Sequence, residues 1–314
     1  MTKYVTSILV LVVAVLAVAL FVRGGEVMTA LAISTTNSTV VTVNISGSTP
    51  TVSGMACWDA DDATDYVKPV GGGQRFMKCN ATFNDANGWG NIKNYTGNFS
   101  YGTCASASLV NCYLNATCKN TTLINTTAQK VECSYMVFYN AQNTSSAGDW
   151  YGMLMAGDVD GLQSPMVTDA IDVQALLATG VNATLTFGAR TVATNDSTCS
   201  VSYGTNVYNY GNVQMDVAVN ASDMTCNGVA SAIPAQYIHG NITPGAFYID
   251  SYALTASLAG PNVALSRFDI NLSASTSTTD PAIATARTIY WGIGIPSGIG
   301  GGCENVMWFA AQVS

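Results

Sequence analysis

Residues 212–220 read NVQMDVAVN. Val213, Met215, Val217 and Val219 fall on every second position, with Gln214, Asp216 and Asn220 among the residues between them. A period of two belongs to an extended strand, whose successive side chains point to opposite faces; a helix repeats its apolar positions at three and four. The stretch predicts a half-buried strand, with the valines and Met215 inward and Asn220 outward.

The same period recurs on both sides of it. TVVTVNISG (39–47) puts Val41, Val43 and Ile45 on one face, and RFMKCNATF (75–83) does so with Met77, Cys79, Ala81 and Phe83. VNCYLNATCK (110–119) places Val110, Cys112, Leu114, Ala116 and Cys118 inward, and Asn111, Tyr113, Asn115 and Thr117 outward. VECSYMVFY (131–139) and WYGMLMAGDVDG (150–161) follow. In the second half NATLTF (182–187), FDINLSAS (268–275), RTIYWGIGIP (287–296) and NVMWFAAQV (305–313) continue the pattern. Gly and Asn/Asp turn signals separate these runs, as in a β-sandwich. TDAIDVQALLATG (168–180) is the one helix candidate outside the N-terminus, with Thr168 or Asp169 to cap it and Gly180 to end it. An extended connection with a short strand is the favoured reading. The expectation is an all-β chain of two sandwich domains, 33–172 and 173–314, after an N-terminal segment, 1–32.

That segment carries no charge from Tyr4 to Val22 and is dominated by Leu, Val and Ala. Its length matches a helix crossing a bilayer core of roughly 30 Å. Lys3 precedes it, which keeps that end cytoplasmic and puts the rest of the chain outside. The competing reading is a cleaved signal peptide, with Ala30-Leu31-Ala32 as the small-x-small site. In the first case the partner is the membrane, through residues 4–22; in the second the protein is secreted. No second apolar run is long enough to span.

The chain has 314 residues, of which 10% are charged, and a net charge of −8. With only 11 Lys and Arg there is no basic stripe to follow a phosphate backbone, which argues against nucleic-acid binding. Nine cysteines, Cys57, Cys79, Cys104, Cys112, Cys118, Cys133, Cys199, Cys226 and Cys303, contain no Cys-x-x-Cys pair. Outside the cytoplasm they read as disulfides, six in the first half and three in the second. The odd one is either a buried thiol or a bridge to another chain.

Asn-x-Ser/Thr occurs at Asn37, Asn44, Asn80, Asn94, Asn98, Asn115, Asn120, Asn125, Asn143, Asn182, Asn195, Asn220, Asn241 and Asn271. Chance placement of 25 asparagines among 61 Ser and Thr predicts about five such triplets rather than 14. Asn44, Asn80, Asn115, Asn182, Asn220 and Asn271 lie in or beside alternating runs, opposite the apolar set. N-glycans need solvent, and they would supply hydration that the sparse charges do not. A strand continued past Lys119 would turn Asn120 inward beside Cys118, so a turn is expected at Lys119–Thr122.

CWDADDATDY (57–66) is a Ca²⁺ candidate through Asp59, Asp61, Asp62 and Asp65, although Thr64 and Val70 stand where an EF-hand needs Gly and Glu. A solvated acidic loop is the alternative. NDANGWGN (84–91) and DVDG (158–161) also resemble calcium loops and equally read as turns. No other cofactor is indicated. Catalysis has little to stand on: the single histidine, His239, lies in YIHGNITPG (237–245), there is no Gly-x-Ser-x-Gly, and VGGGQR (70–75) and GIGGGC (298–303) lack the Gly-Lys-Ser/Thr of a P-loop.

Four stretches carry a resemblance: YGNVQMDVAVNASDMTC (210–226), TIYWGIGIPSGIGGG (288–302), NDANGWGNI (84–92) and WYGMLMAGDVDG (150–161). Each resembles the strands and inter-strand turns of archaeal and bacterial cell-surface proteins built of Ig-like β-sandwich modules. The resemblance implies two Ig-like sandwiches in a non-enzymatic, structural or adhesive surface glycoprotein, with other copies of itself or envelope proteins as partners. It assigns no catalytic residue. Two further readings stand beside it. One is a filament subunit whose freed strand at 33–46 completes a neighbour's sheet; the other is a secreted carbohydrate-binding or carbohydrate-active protein.

Overall fold

A computed structural model describes residues 47–314, apart from 103, 105, 115, 145–149, 182–183, 197, 228–231, 247–251, 255–265 and 281–283. The N-terminal apolar run, the strand expected at 39–46, and Asn37, Asn44, Asn115 and Asn182 lie outside the described residues. Among those described, no helix is long and apolar enough to cross a membrane.

The described chain is all-β, interrupted by single 3₁₀ turns at Trp89–Asn91 and Ala235–Tyr237. In the first half the strands are β1 (Thr51–Asp59), β2 (Tyr66–Val67), β3 (Gln74–Asn84), β4 (Ile92–Tyr101), β5 (Cys112–Tyr113), β6 (Thr117–Leu123), β7 (Ala128–Phe138), β8 (Trp150–Asp158), β9 (Val167–Ala170) and β10 (Asp172–Val173). They form two antiparallel four-stranded sheets, β1-β3-β7-β6 and β5-β4-β8-β9, with the small parallel pair β10-β2 beside them. The expected inner face of β3 is confirmed: Met77, Cys79, Ala81 and Phe83 are all fully buried. They pack with Phe99, Leu154 and Trp150 of the facing sheet in one hydrophobic cluster.

The second half comprises β11 (Thr179–Val181), β12 (Thr194–Asn195), β13 (Thr198–Asn209), β14 (Met215–Ala221), β15 (Thr225–Cys226), β16 (Ile238–Asn241), β17 (Gly245–Ala246), β18 (Tyr252–Ala253), β19 (Ser266–Leu272), β20 (Thr285–Ile295), β21 (Cys303–Glu304) and β22 (Met307–Val313). A large antiparallel sheet ordered β11-β13-β20-β16-β18, with β12 on β20 and β17 on β13, encloses a second core with the sheet β19-β14-β22. Trp291 is buried at the centre of that core and donates to Thr205 Oγ1 at 3.0 Å. The helix candidate at 168–180 is extended, carrying β9, β10 and the start of β11. In NATLTF, Leu185 and Phe187 pack on the core, but residues 184–187 pair with no strand.

Residues 212–220 do not form a half-buried strand with Asn220 in solvent. β14 is buried on both faces, including Asp216 (2% exposed), Ala218 (0%) and Asn220 (3%). It is the central strand of its sheet, so both edges are paired, and neither face meets solvent.

The disulfides give the first sandwich its geometry. In register, Cys57 stands opposite Cys79, Cys79 opposite Cys133, and Cys133 opposite Cys118. Four cysteines therefore form one row across β1, β3, β7 and β6, closed as Cys57–Cys79 and Cys118–Cys133. Two glycines of the opposite sheet make room for the row. A Cβ on Gly152 would stand 2.3 Å from Cys57 Sγ and 2.5 Å from Cys79 Sγ, and one on Gly97 would stand 3.2 Å from Cys133 Cβ. Cys104–Cys112 closes the loop after β4, and Cys226–Cys303 staples β15 to β21. Cys199 is the cysteine outside a disulfide; it is fully buried, with its thiol directed to the His239 carbonyl at 3.6 Å.

The two cores meet around Asn212. Its Nδ2 donates to the carbonyls of Ala141 and Gln174, each at 2.9 Å, and its Oδ1 accepts from Leu176 N at 2.7 Å. Asn143 Nδ2 donates to the Asn212 carbonyl at 3.0 Å, and Tyr139 meets Tyr210 edge to face.

Candidate functional site

VNCYLNATCK is not one strand. Cys112–Tyr113 pairs with β4, the Ala116 N–H donates to the Gly97 carbonyl, and only from Thr117 does the chain pair with β7. Tyr113, expected outward, is therefore buried between the sheets, where its hydroxyl donates to Leu109 O at 2.6 Å and accepts from Phe138 N at 3.1 Å. Burial holds the hydroxyls of Tyr113 and Tyr135 well above the usual tyrosine range, in Tyr113 against a smaller opposing effect of the Phe138 N–H.

This crossing opens an edge. β7 runs on to Phe138, but its pairing with β6 stops at Ser134. No strand among the described residues covers β7 from Tyr135 to Phe138 on that side. A groove of about 620 Å³ lies along this edge, lined by Phe76, Leu109, Leu114, Met136, Phe138 and Thr278, among others. Phe76 is 48% and Met136 39% exposed, which is high for neighbouring apolar side chains at mid-sheet. Apart from the Phe138 N–H, which Tyr113 takes, this edge has no partner strand among the described residues, and such an edge beside apolar side chains is suited to accept an extended segment as an added strand. No periodicity reveals this feature: β7 alternates normally, β6 is exposed almost throughout, and only the change of sheet at Ala116 creates it.

The turn expected at Lys119–Thr122 is not there. β6 continues to Leu123 with a bulge between Asn120 and Thr122, and the turn follows at Ile124–Thr127. Asn120 is nevertheless exposed, because β6 is an edge strand lying largely beyond the cover of the facing sheet. Asn125 builds the turn: its Oδ1 accepts from Thr127 N and Ala128 N, both at 2.8 Å.

The other triplets divide by burial. Asn94, Asn195 and Asn271 are exposed, and Asn80 and Asn98 are half-buried. Asn143 is half-buried with Nδ2, the atom a glycan would occupy, bonded at the junction. Asn220 and Asn241 are 3% and 5% exposed, so these two expected sites are corrected: a glycan does not fit there in the folded chain.

The acidic run is organised around a cation from the neighbouring strand, Arg75. Arg75, two positions beyond the residue opposite Asp59, reaches Asp59 Oδ2 at 2.9 Å, Asp61 at 3.2 Å and Asp62 at 2.6 Å. Lys68 also pairs with Asp62, at 3.4 Å, while Asp65 stays exposed. Burial pushes the Asp59 carboxyl up, but Arg75 and the N–H groups of Asp61 and Lys68 outweigh it and hold the group below the usual carboxylate range. The guanidinium supplies the positive charge that a Ca²⁺ ion would otherwise bring, so these aspartates form an ion-pair cluster. Among the described residues no group of three or more His, Cys, Asp or Glu is placed to hold a metal. His239 is 7% exposed on β16. Gly72, in the first Gly-rich turn, donates its N–H to the Tyr210 carbonyl at 3.2 Å, which gives that loop a packing role at the junction.

No protein-family model matches this chain, and no curated protein matches it.

Proposed function

We propose that the chain is a non-catalytic structural or adhesive glycoprotein of the cell surface, built of two Ig-like sandwich units and tethered through residues 4–22. The observation that carries this reading is the disulfide framework. Eight of the nine cysteines are paired, and four of them cross one sheet in a single row. Such pairing belongs to an oxidising compartment. The exposed asparagines at 94, 120, 125, 195 and 271 support the glycoprotein part. Mass spectrometry of unreduced protein from its native host, intact and deglycosylated, tests the proposal. Expected are eight paired cysteines and glycans at exposed sites such as Asn94, Asn120 and Asn125, with Asn220 and Asn241 bare. Reduced cysteines, or no glycan at any exposed site, would overturn it.

The open edge of β7 favours a second reading, a filament subunit that accepts an extended strand from a neighbouring copy. Negative-stain microscopy of shed surface material decides between the two. Filaments that disappear in a Met136→Arg strain would establish the second reading, and isolated particles would remove it.

A further inference from the structure

Two buried carboxylate oxygens at one end of the first sandwich have no partner, and they come from the two loops whose sequences, NDANGWGN and DVDG, resemble calcium loops. We propose that this end, where β3 hands over to β4, is a Ca²⁺ site closed by Asp85 and Asp158.

The placement follows from strand parity. Cys79, Ala81 and Phe83 face inward on β3, and the next inward position is Asp85. Gly152, Leu154 and Ala156 face inward on β8 in the opposite sheet, and the next is Asp158. Both strands finish at the same end of the sandwich. β3 leads through the turn Trp89–Asn91 into Ile92, Ile92 pairs with Asp158, and Val159 N donates to the Asn91 carbonyl at 2.9 Å. Packed sheets stand about 10 Å apart. Two carboxylates reaching inward from facing strands then come within range of one ion that holds its oxygens at about 2.3–2.6 Å.

Both side chains are built in. Asp85 is 0% and Asp158 5% exposed. Asp85 Oδ1 accepts from Asn87 N at 2.8 Å and Ser48 Oγ at 3.2 Å. Asp158 Oδ1 accepts from Asp160 N at 2.9 Å and Leu162 N at 2.8 Å. In each case Oδ2 is buried without a hydrogen-bond partner. No Lys or Arg among the described residues pairs with either carboxylate, in contrast to the Arg75 cluster. A buried carboxylate without a counter-charge is costly.

The ligand chemistry points to Ca²⁺. The donors at hand are oxygens: two carboxylates, with the Ser48 hydroxyl beside Asp85. Ca²⁺ accepts such mixed oxygen sets in loose geometry, completed by carbonyls and water, whereas Mg²⁺ demands a tight octahedron and Zn²⁺ prefers nitrogen and sulfur. The inference does not depend on where the protein resides.

The test uses the full chain with its disulfides intact, treated with chelator and then given Ca²⁺ or Mg²⁺. Ca²⁺ at about a hundredfold its Kd raises the melting temperature by about 5 °C or more, and Mg²⁺ does so far less. Calorimetric titration finds Ca²⁺ bound, and Tb³⁺ at the site is sensitised by Trp89 in the adjoining turn. Asp85→Asn and Asp158→Asn each abolish the Ca²⁺ shift, while Asp62→Asn, in the Arg75 cluster, keeps it. Absence of Ca²⁺ binding by the wild-type chain would overturn the proposal. So would an undiminished shift in Asp158→Asn. If the asparagine variants do not fold, the wild-type titration and the Trp89-sensitised signal decide.

Discussion

Gly152→Ala places a methyl group against a disulfide, and the structure sets what that costs. The new Cβ would lie 2.3 Å from Cys57 Sγ and 2.5 Å from Cys79 Sγ, closer than any carbon and sulfur pack. These sulfurs cannot swing aside, because they tie β1 to β3 within two paired strands. Overpacking of a filled core costs about 1–3 kcal/mol. Against it stands the lower entropy of an unfolded chain with Ala in place of Gly, about 0.4–1 kcal/mol. The expected net loss is about 1–2 kcal/mol. In a Cys57→Ala/Cys79→Ala background the obstruction is gone. Removing that cross-link, which spans 22 residues, itself costs about 3 kcal/mol. There Gly152→Ala should be neutral or slightly stabilising, because the two sulfurs are gone and the next atom, the flexible end of Met55, stands at 3.1 Å. Urea unfolding of the four proteins, followed by tryptophan fluorescence, gives a coupling of about 2 kcal/mol between glycine and disulfide. Equal costs in the two backgrounds would refute the packing argument.

Arg75→Met strands Asp59 in a fully buried position and should cost about 3–5 kcal/mol, with much of it recovered in Arg75→Met/Asp59→Asn. Because the Asp59 carboxyl is held below its ordinary range in the fold, its contribution is complete above the unfolded carboxylate range and fades as pH falls through the lower folded value; urea midpoints between pH 6 and pH 2 should drop less steeply in Asp59→Asn. Asn212→Ala leaves the carbonyls of Ala141 and Gln174 and the Leu176 N–H without their partner at the junction, a loss of about 3 kcal/mol measured by the same unfolding assay. Tyr113 and Tyr135, raised by burial, should stay protonated in the folded chain past the ordinary tyrosine range and ionise only on unfolding. Stability is then present below the unfolded tyrosine value and lost as pH rises above it, read at 295 nm as delayed ionisation against a urea-unfolded control.

The period of two was enough to identify most strands and their inner faces, because burial of one face is a local requirement that each strand writes into its own residues. Met77, Cys79, Ala81 and Phe83 were legible in this way, as were Phe268, Ile270, Ile289, Trp291 and Ile293. The cysteine count and absence of zinc-like spacing implied disulfides, and the odd cysteine, Cys199, is one of the buried alternatives foreseen. What each strand packs against was not legible. Asn220 is buried because both faces of β14 are covered, a fact about what packs around the strand. Asp59 meets Arg75 only through the β1–β3 register. The open edge of β7 follows from a chain that changes sheets at Ala116, and the row of four cysteines from three registers agreeing at one level. Alternation fixes which way a side chain points along its own strand. Only the pairing and stacking of strands distant in sequence decide what stands opposite it, and the junction, the ion-pair cluster and the Asp85–Asp158 end are all made of such long-range oppositions.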